Sequence, residues 1–149
     1  MRQQGFTLLE VLVAMVIVSI GLVGLAGLMM TSAKNNQSAF YRSQASWMAY
    51  DIIDRMRANR VVATNGSGAY DIALGVLPSG CGVSSVPPAL DLCQWNTELQ
   101  TALPTGKGSI LMAGSVATVT VQWDDSRALG QNANFTGNPT QTISIQTQL

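Results

Sequence analysis

The sequence predicts an α+β fold in which one long N-terminal helix packs on a small antiparallel β-sheet. Three observations predict it. An apolar run without a charged residue covers residues 11–30, and an amphipathic helical pattern follows with no proline before Pro78. Near the C-terminus apolar residues instead alternate with polar ones, which is typical of half-buried strands. Strands that follow helices through short connections favour an antiparallel sheet on one face of the helices.

The apolar run is long enough to cross a membrane. As a helix it measures about 30 Å at the standard rise per residue, and its one polar residue is Ser19. We therefore assign residues 6–33 to the transmembrane half of the long helix. Three glycines recur within it at three-residue spacing: Gly21, Gly24 and Gly27. Such small residues permit the close approach of a neighbouring helix, and the alternative is the ordinary frequency of glycine in membrane spans.

A secretory signal peptide cleaved near Ala33 is the competing interpretation of the same segment. The run is longer than a normal signal core, Glu10 stands where a basic region should adjoin it, and Arg2 is the only basic residue before it. Arg2 and the starting amine precede the run and Lys34 follows it, so we expect the residues after it to lie outside the cytoplasm.

The helix is predicted to continue beyond the membrane as an amphipathic half, residues 34–63. Nothing in the sequence interrupts it between about Thr7 and about Arg60, a length of about 80 Å. The glycine-rich stretch 64–70 then predicts a turn. The apolar stripe of this half follows helical spacing: Ala45, Met48, Ala49, Ile52, Ile53 and Met56.

Residues 64–149 are predicted to form a head domain completed by the amphipathic helix. A short helix is expected between Pro88 and Leu103, where Leu, Trp and Leu recur at helical spacing. Strands are expected at 109–112, 117–123 and 142–149, with the face that carries Trp123 buried. The connection 124–141 is polar and rich in turn residues, so we expect a long exposed loop without an element of its own.

Composition and motifs argue against catalysis, metal binding and nucleic-acid binding. The chain has eight basic and eight acidic residues and no histidine, which removes the commonest general base and metal ligand. Asp124 and Asp125 are adjacent, and on a strand end they point to different sides, so turn or capping roles are expected for them. We predict no enzyme activity, no catalytic residues, no cofactor and no metal site.

The two cysteines, Cys81 and Cys93, are close in sequence and flanked by turn residues. In an exported domain they can form a disulfide, and so short a loop is worth about 3 kcal/mol on the chain-entropy estimate. Two separately buried thiols are the alternative. A zinc site lacks its other ligands.

Thr7 and Glu10 form the pattern T-x-x-E of a capping box at the start of the long helix. This pattern predicts Thr7 as the helix cap and explains the carboxylate by local hydrogen bonding and by the favourable interaction of negative charge with a helix N-terminus.

The stretch GFTLLEVLVAMVIVSIGLVGLAGL resembles the N-terminal signature of type IV prepilins and pseudopilins. The resemblance implies a type IV pilin-like fold and a leader peptide, residues 1–5, that prepilin peptidase removes between Gly5 and Phe6. It also implies that Phe6 becomes the N-methylated first residue of the mature chain. Glu10 is then its fifth residue, where the family's carboxylate assists assembly by pairing with the amino terminus of a neighbouring subunit. The capping role and the assembly role are compatible.

A second stretch, NNQSAFYRSQASWMAYDIIDRMRANR, resembles the minor pilins of the type IV pilus. The resemblance implies a subunit of the complex that primes or caps the pilus. It further implies a single-pass protein of the inner membrane with a periplasmic C-terminal head, which enters the pilus tip on assembly. The implied partners are other minor pilins, the major pilin, prepilin peptidase, the inner-membrane assembly machinery and the lipid bilayer.

Two alternatives remain at this point. A minor pseudopilin of a type II secretion system is built from the same anchor and a similar head. A membrane-anchored periplasmic binding module or enzyme belongs to another class, against which the missing histidine and the modest size of the head argue.

Overall fold

The computed structural model describes residues 7–82, 86–129 and 139–149. The leader and the expected cleavage site between Gly5 and Phe6 lie outside the described residues. Seven elements follow one another: α1 (Leu8–Ala58), α2 (Arg60–Thr64), α3 (Ala89–Ala102), β1 (Lys107–Ala113), β2 (Val116–Asp124), α4 (Ser126–Leu129) and β3 (Thr140–Gln148).

Helix α1 is continuous over 51 residues, which confirms the predicted long helix and gives it a length of about 75 Å. Every residue from 8 to 33 is exposed, because the first half packs against nothing in the chain. The second half packs its predicted apolar stripe against the rest of the chain. Met48 is half-buried, and the other five residues are buried: Ala45, Ala49, Ile52, Ile53 and Met56. The helix ends at Ala58, slightly before the predicted limit, and Arg60 begins the separate short helix α2.

The sheet has the order β1-β2-β3 and is antiparallel throughout. Strands β1 and β2 are joined by the two residues Gly114 and Ser115, and Gly114 has φ +63°, which fits the first central position of a type II′ hairpin turn. The predicted strand at 109–112 extends to Lys107 and Ala113. Alternate residues of β2 are buried, so the predicted strand period is confirmed.

The core lies between one face of the sheet, the second half of α1 and helix α3. Trp95 of α3 is buried in it, and the indole N–H of this residue donates to the Met48 carbonyl on α1 over 2.9 Å. Gly108 on β1 lies so close to Trp95 that a Cβ at this position would stand 2.3 Å from Cη2 of the indole ring. The buried face of β2 contributes Ala117, Val119, Val121 and Trp123. The α+β arrangement of a long helix on a small antiparallel sheet is therefore confirmed.

The expectation that 124–141 is a loop without an element was wrong at both ends. Asp124 belongs to β2 and β3 begins at Thr140. Between them Ser126–Leu129 form α4, whose start is fixed because Asp124 Oδ1 accepts from the Ser126 N–H over 2.9 Å. Asp124 therefore serves in capping, as predicted. Residues 130–138 of this connection are outside the described part of the chain.

Candidate assembly segment

Thr7 is the N-cap of α1. Its backbone is extended, with φ −79° and ψ 149°, and its Oγ1 accepts a hydrogen bond from the Glu10 N–H over 3.3 Å. The Thr7 carbonyl also accepts from Glu10 N, over 3.1 Å, and from Val11 N, over 3.3 Å. The Glu10 amide, one of those that a helix start leaves without an i−4 partner, is thus satisfied by Thr7, and the Val11 bond is the first regular bond of the helix.

The Glu10 carboxylate makes no hydrogen bond and no ion pair with any residue in the described ranges. Of the two hydrogen bonds of a capping box, the one that the Glu10 N–H donates to Thr7 Oγ1 is formed. The reciprocal bond, which the Thr7 N–H would donate to the Glu10 carboxylate, does not occur among the described residues. The side chain is exposed on the first turn of the helix. The carboxylate is therefore free to accept a donor from outside the described chain.

The helix surface that follows Glu10 is apolar and open. The side chains on the same face continue the exposed surface: Val11, Ala14, Met15 and Val18. Ser19 is the one polar residue of the run 11–30, and its hydroxyl donates to the Met15 carbonyl over 2.7 Å. The Ser19 hydroxyl thus has its hydrogen-bond partner within the helix. Between Glu10 and Ser19, the Glu10 carboxylate is therefore the polar side-chain group without a partner in the described chain.

The three glycines of the apolar half lie on open surface. A Cβ built at Gly21, Gly24 or Gly27 would meet no atom within 4 Å, apart from the helix's own backbone. Nothing within the described chain therefore requires glycine at these positions. The close approach of a neighbouring helix would give a reason for all three.

A disulfide joins Cys81 to Cys93, with 5.6 Å between the two Cα atoms. Cys93 lies on α3, so the bond attaches the irregular segment before that helix to the body of the head. This pair belongs to the head and lies apart from the exposed N-terminal half of α1.

Sequence reasoning missed a buried network centred on Tyr70. The Tyr70 hydroxyl donates to Asp91 Oδ2 over 2.6 Å and accepts from the Asn59 side-chain amide over 3.2 Å. Burial, followed by the hydrogen bond to Asp91, raises the pKa of Tyr70 from 10.0 to about 12. Because Asn59 lies between α1 and α2 and Asp91 lies on α3, the network fixes the end of the long helix to the head. A lone tyrosine in a turn-rich stretch gives no signal for it.

Asp125 was expected to have a turn or capping role; it lies in the turn between β2 and α4, and its complete burial was not expected. Ser38 of α1 donates its hydroxyl to Asp125 Oδ2, and the Asp125 N–H donates to the Pro139 carbonyl over 2.9 Å. The residue thus connects the end of β2 to the middle of α1, at Ser38. Within the described chain, no three His, Cys, Asp or Glu residues are grouped so that they could hold a metal ion.

The family model that matches the chain is the prokaryotic N-terminal methylation motif, over residues 1–26. This motif supports a type IV pilin-like family, points to a structural protein rather than an enzyme, and implies processing by prepilin peptidase and assembly with other pilins. Among the described residues, the helix long and apolar enough to cross a membrane is α1, with a mean hydropathy of 2.7 over its most apolar window. Motif and helix together suggest a membrane-anchored pilin. Comparison with curated proteins and with solved structures gives no match.

Proposed function

We propose that the chain is a minor pilin, a structural subunit of the complex that primes or caps a type IV pilus. In this proposal prepilin peptidase removes residues 1–5, Phe6 becomes the N-methylated amino terminus, and Glu10 pairs with the amino terminus of an adjacent subunit. The observation that carries the proposal is the Glu10 carboxylate, which stands without a described partner at the start of an exposed apolar helix and inside the methylation motif.

The physical argument for pairing is the energy of a charge at membrane depth. A carboxylate near the bilayer core costs about 3 kcal/mol unless it is partnered. The cap on Thr7 uses the backbone of Glu10 and leaves its side-chain oxygens unused. A cationic amine supplied by a neighbouring helix offsets the cost of the carboxylate, and leader removal creates such an amine at Phe6. Assembly is therefore favoured only after processing.

The division of α1 supports a single-pass arrangement with residues 34–149 in the periplasm. Residues 8–33 are exposed throughout, as a lipid-facing helix in an isolated subunit must be. The disulfide between Cys81 and Cys93 fits an oxidising compartment. We propose the inner membrane as the anchor before assembly and the pilus tip as the final location, with other minor pilins, the major pilin and the assembly machinery as partners.

The methylation motif is shared by pilins and pseudopilins, so a minor pseudopilin of a type II secretion system is the second candidate. We favour the pilus because residues 35–60 resemble the corresponding stretch of the minor pilin PilV. The genes that surround this one separate the two candidates, since pilus assembly and secretion genes occur in different clusters. A cluster of secretion genes would contradict the pilus assignment and leave the assembly chemistry of Glu10 unchanged.

The role of Glu10 is tested by Glu10→Ala and Glu10→Gln in cells that assemble pili. We expect both variants to be cleaved after Gly5 as in the wild type and to be strongly depleted from sheared pili, because neither carries the charge that offsets the amine. The amount of the chain in purified pili, relative to the amount in membranes, is the measurement. Normal incorporation of both variants would contradict the proposal.

Two control variants separate assembly from capping. Thr7→Ala removes the hydroxyl that caps α1 and leaves the carboxylate, so incorporation should fall much less than in Glu10→Ala. Asp54→Asn removes an exposed carboxylate of the same helix, which pairs with Arg57 over 3.0 Å, and should enter pili normally. If Thr7→Ala were as defective as Glu10→Ala, the local cap would explain the carboxylate and intersubunit pairing would not be needed.

A further inference from the structure

The sheet has two outer edges, and the fold protects them differently. At the β1 edge, Ile110 exchanges two backbone hydrogen bonds with Ile72, over 2.9 and 3.0 Å. The next outward amide on β1, that of Met112, donates to Asp71 Oδ1 over 2.8 Å. The segment before α3 thus occupies the β1 edge with both a backbone bridge and a side chain.

The hydrogen bonds at the ends of the β2–β3 ladder identify which groups of β3 point outward. Leu149 N–H donates to Ser115, and Asp125 N–H donates to Pro139, each over 2.9 Å. Both pairs have the same register as the residue pairs of β2 and β3. Along each strand of an antiparallel pair, a residue that is hydrogen-bonded to the partner strand is followed by one whose amide and carbonyl groups point away from it. The odd-numbered residues of β3 therefore bond to β2. The even-numbered ones present their backbone at the edge, and they include Thr142, Ser144 and Gln146.

Within residues 7–82, 86–129 and 139–149, none of the usual protections occurs along the middle of the β3 edge, at 142–146. The strand is nine residues long, TQTISIQTQ, with no charged residue, proline or glycine, and its pairing with β2 runs over all nine residues without a bulge. The outward backbone groups of Thr142, Ser144 and Gln146 have no hydrogen-bond partner in the described ranges. Such an edge is a template for a further strand.

We propose that the β3 edge accepts an extended segment of another subunit as a fourth strand of the sheet. Side chains on the two faces of β3 specify the chemistry of that segment. On the helix side Ile143 and Ile145 are half-buried against the core, and on the outer side Thr142, Ser144 and Gln146 are exposed. The segment that matches the middle of β3 therefore alternates apolar with polar residues.

A second copy of β3 does not fit this edge when both chains are anchored in one membrane, a condition that rests on the proposed function. If β3 of one chain paired with β3 of a second copy, the two strands would be antiparallel in one continuous sheet. The two copies would then be related by a two-fold axis perpendicular to that sheet. Helix α1 packs on the sheet face, so its axis lies near the plane of the sheet, and the two-fold axis would reverse its direction in the partner. Two reversed helices cannot start in the same membrane. The occupant is accordingly a strand of a different polypeptide in the assembly.

Amide hydrogen exchange of the full chain in detergent micelles tests the open edge without any variant. We expect the amides of Ile143 and Ile145 to exchange slowly and those of Thr142, Ser144 and Gln146 to exchange rapidly. The probe is a synthetic peptide with the β3 sequence, which has the required alternation and no membrane anchor. Saturating peptide should slow the outward amides at least tenfold, and a scrambled peptide should not. Outward amides as slow as that of Ile145 in the free chain, or unaffected by the peptide, would overturn the proposal.

Ser144→Pro and Ser144→Ala form a matched pair for the assembled state. Proline at an outward position removes no backbone bond to β2 and blocks the added strand, whereas alanine keeps the amide. Both substitutions remove the contact between Ser144 Oγ and Thr120 Oγ1 over 3.1 Å, so the pair differs only in the backbone. The test requires that Ser144→Pro folds, with an unfolding midpoint near that of the wild type. We then expect Ser144→Pro to be processed normally but to be absent from pili, and Ser144→Ala to be incorporated. A folded Ser144→Pro chain that enters pili normally would refute strand addition while leaving the roles of Phe6 and Glu10 intact. If Ser144→Pro does not fold, the exchange measurement on the unmodified chain decides the question.

Discussion

Replacing Gly108 by Ala tests the contact that attaches α3 to the sheet. The added Cβ would stand 2.3 Å from Cη2 and 2.6 Å from Cζ3 of Trp95, and 2.7 Å from Cδ1 of Leu99. Carbon atoms in contact are normally about 3.5 to 4.0 Å apart, so the indole ring must move by more than about 1 Å. The ring is not free to do so, because its N–H donates to the Met48 carbonyl on α1 over 2.9 Å.

The expected cost follows from these two constraints. Overpacking a core by one methyl group costs about 1 to 3 kcal/mol. Breaking the bond between Trp95 and Met48 leaves a buried donor unsatisfied, which adds about 1 to 3 kcal/mol if the ring shifts far enough. We therefore expect Gly108→Ala to lower the free energy of unfolding by about 1 to 3 kcal/mol if the hydrogen bond survives, and by about 2 to 6 kcal/mol if it breaks. Either is a large fraction of the total for a small domain.

Urea unfolding of the full chain in micelles, followed by fluorescence of the buried Trp95 and Trp123, measures this cost. Gly24→Ala is the control, since a Cβ there meets no side chain within 4 Å and should leave the unfolding of the head unchanged. Adding Trp95→Phe to Gly108→Ala removes the clashing ring, so the two substitutions should be coupled by about 1 kcal/mol or more. A Gly108→Ala chain as stable as the wild type would refute the packing account.

Three further expectations concern the disulfide, Tyr70 and Thr7. Reducing the bond between Cys81 and Cys93 should lower the free energy of unfolding by about 3 kcal/mol on the chain-entropy estimate, and an unchanged urea midpoint with reductant would contradict this. The pKa of Tyr70 is raised from 10.0 to about 12 in the folded chain. As the pH rises, the tyrosine of the unfolded chain therefore loses its proton at a lower pH than that of the folded chain. Stability should therefore be complete below pH 10 and fall between pH 10 and 12 by at most about 3 kcal/mol. Tyr70→Phe should remove that component, and identical pH profiles for the two chains would argue against it. Thr7→Ala should speed amide exchange of Glu10 about fivefold, for a cap worth about 1 kcal/mol, and unchanged exchange would exclude the cap.

Elements with long, regular patterns were predictable from the sequence. The stripe from Ala45 to Met56 has six members at helical spacing, and α1 buries five of them. The alternation of 117–123 likewise fixed which face of β2 carries the core residues. In both cases the pattern repeats often enough that only one secondary structure can bury all of its apolar residues.

Short elements and tertiary contacts were not predictable. Helices α2 and α4 have five and four residues, too few to show a helical period. The predicted strand began at residue 109, and the reason for glycine at position 108, the close approach of Trp95, exists only in the folded chain. The burial of Asp125 also depends on a contact with Ser38, which lies 87 residues away.

The candidate site was likewise predictable from the sequence only in part. The cap on Thr7 is local, so the pattern T-x-x-E predicted it, and the structure contains the bond from Glu10 N. A partner of the Glu10 carboxylate is not found among the described residues, so the structure supplies no second role for it. The resemblance of residues 5–28 to pilins supplied that role, since local physics alone favours capping.

The central claim is that this chain is processed as a pilin, and the mass of its mature N-terminal peptide tests it most directly. The chain is to be isolated from membranes and from sheared pili of the same cells, with and without prepilin peptidase. We predict a mature chain that begins at Phe6, carries one methyl group on its amino nitrogen, and reverts to Met1 when the peptidase is absent. A chain that begins at Met1 in wild-type cells, or just after Ala33, would contradict the account.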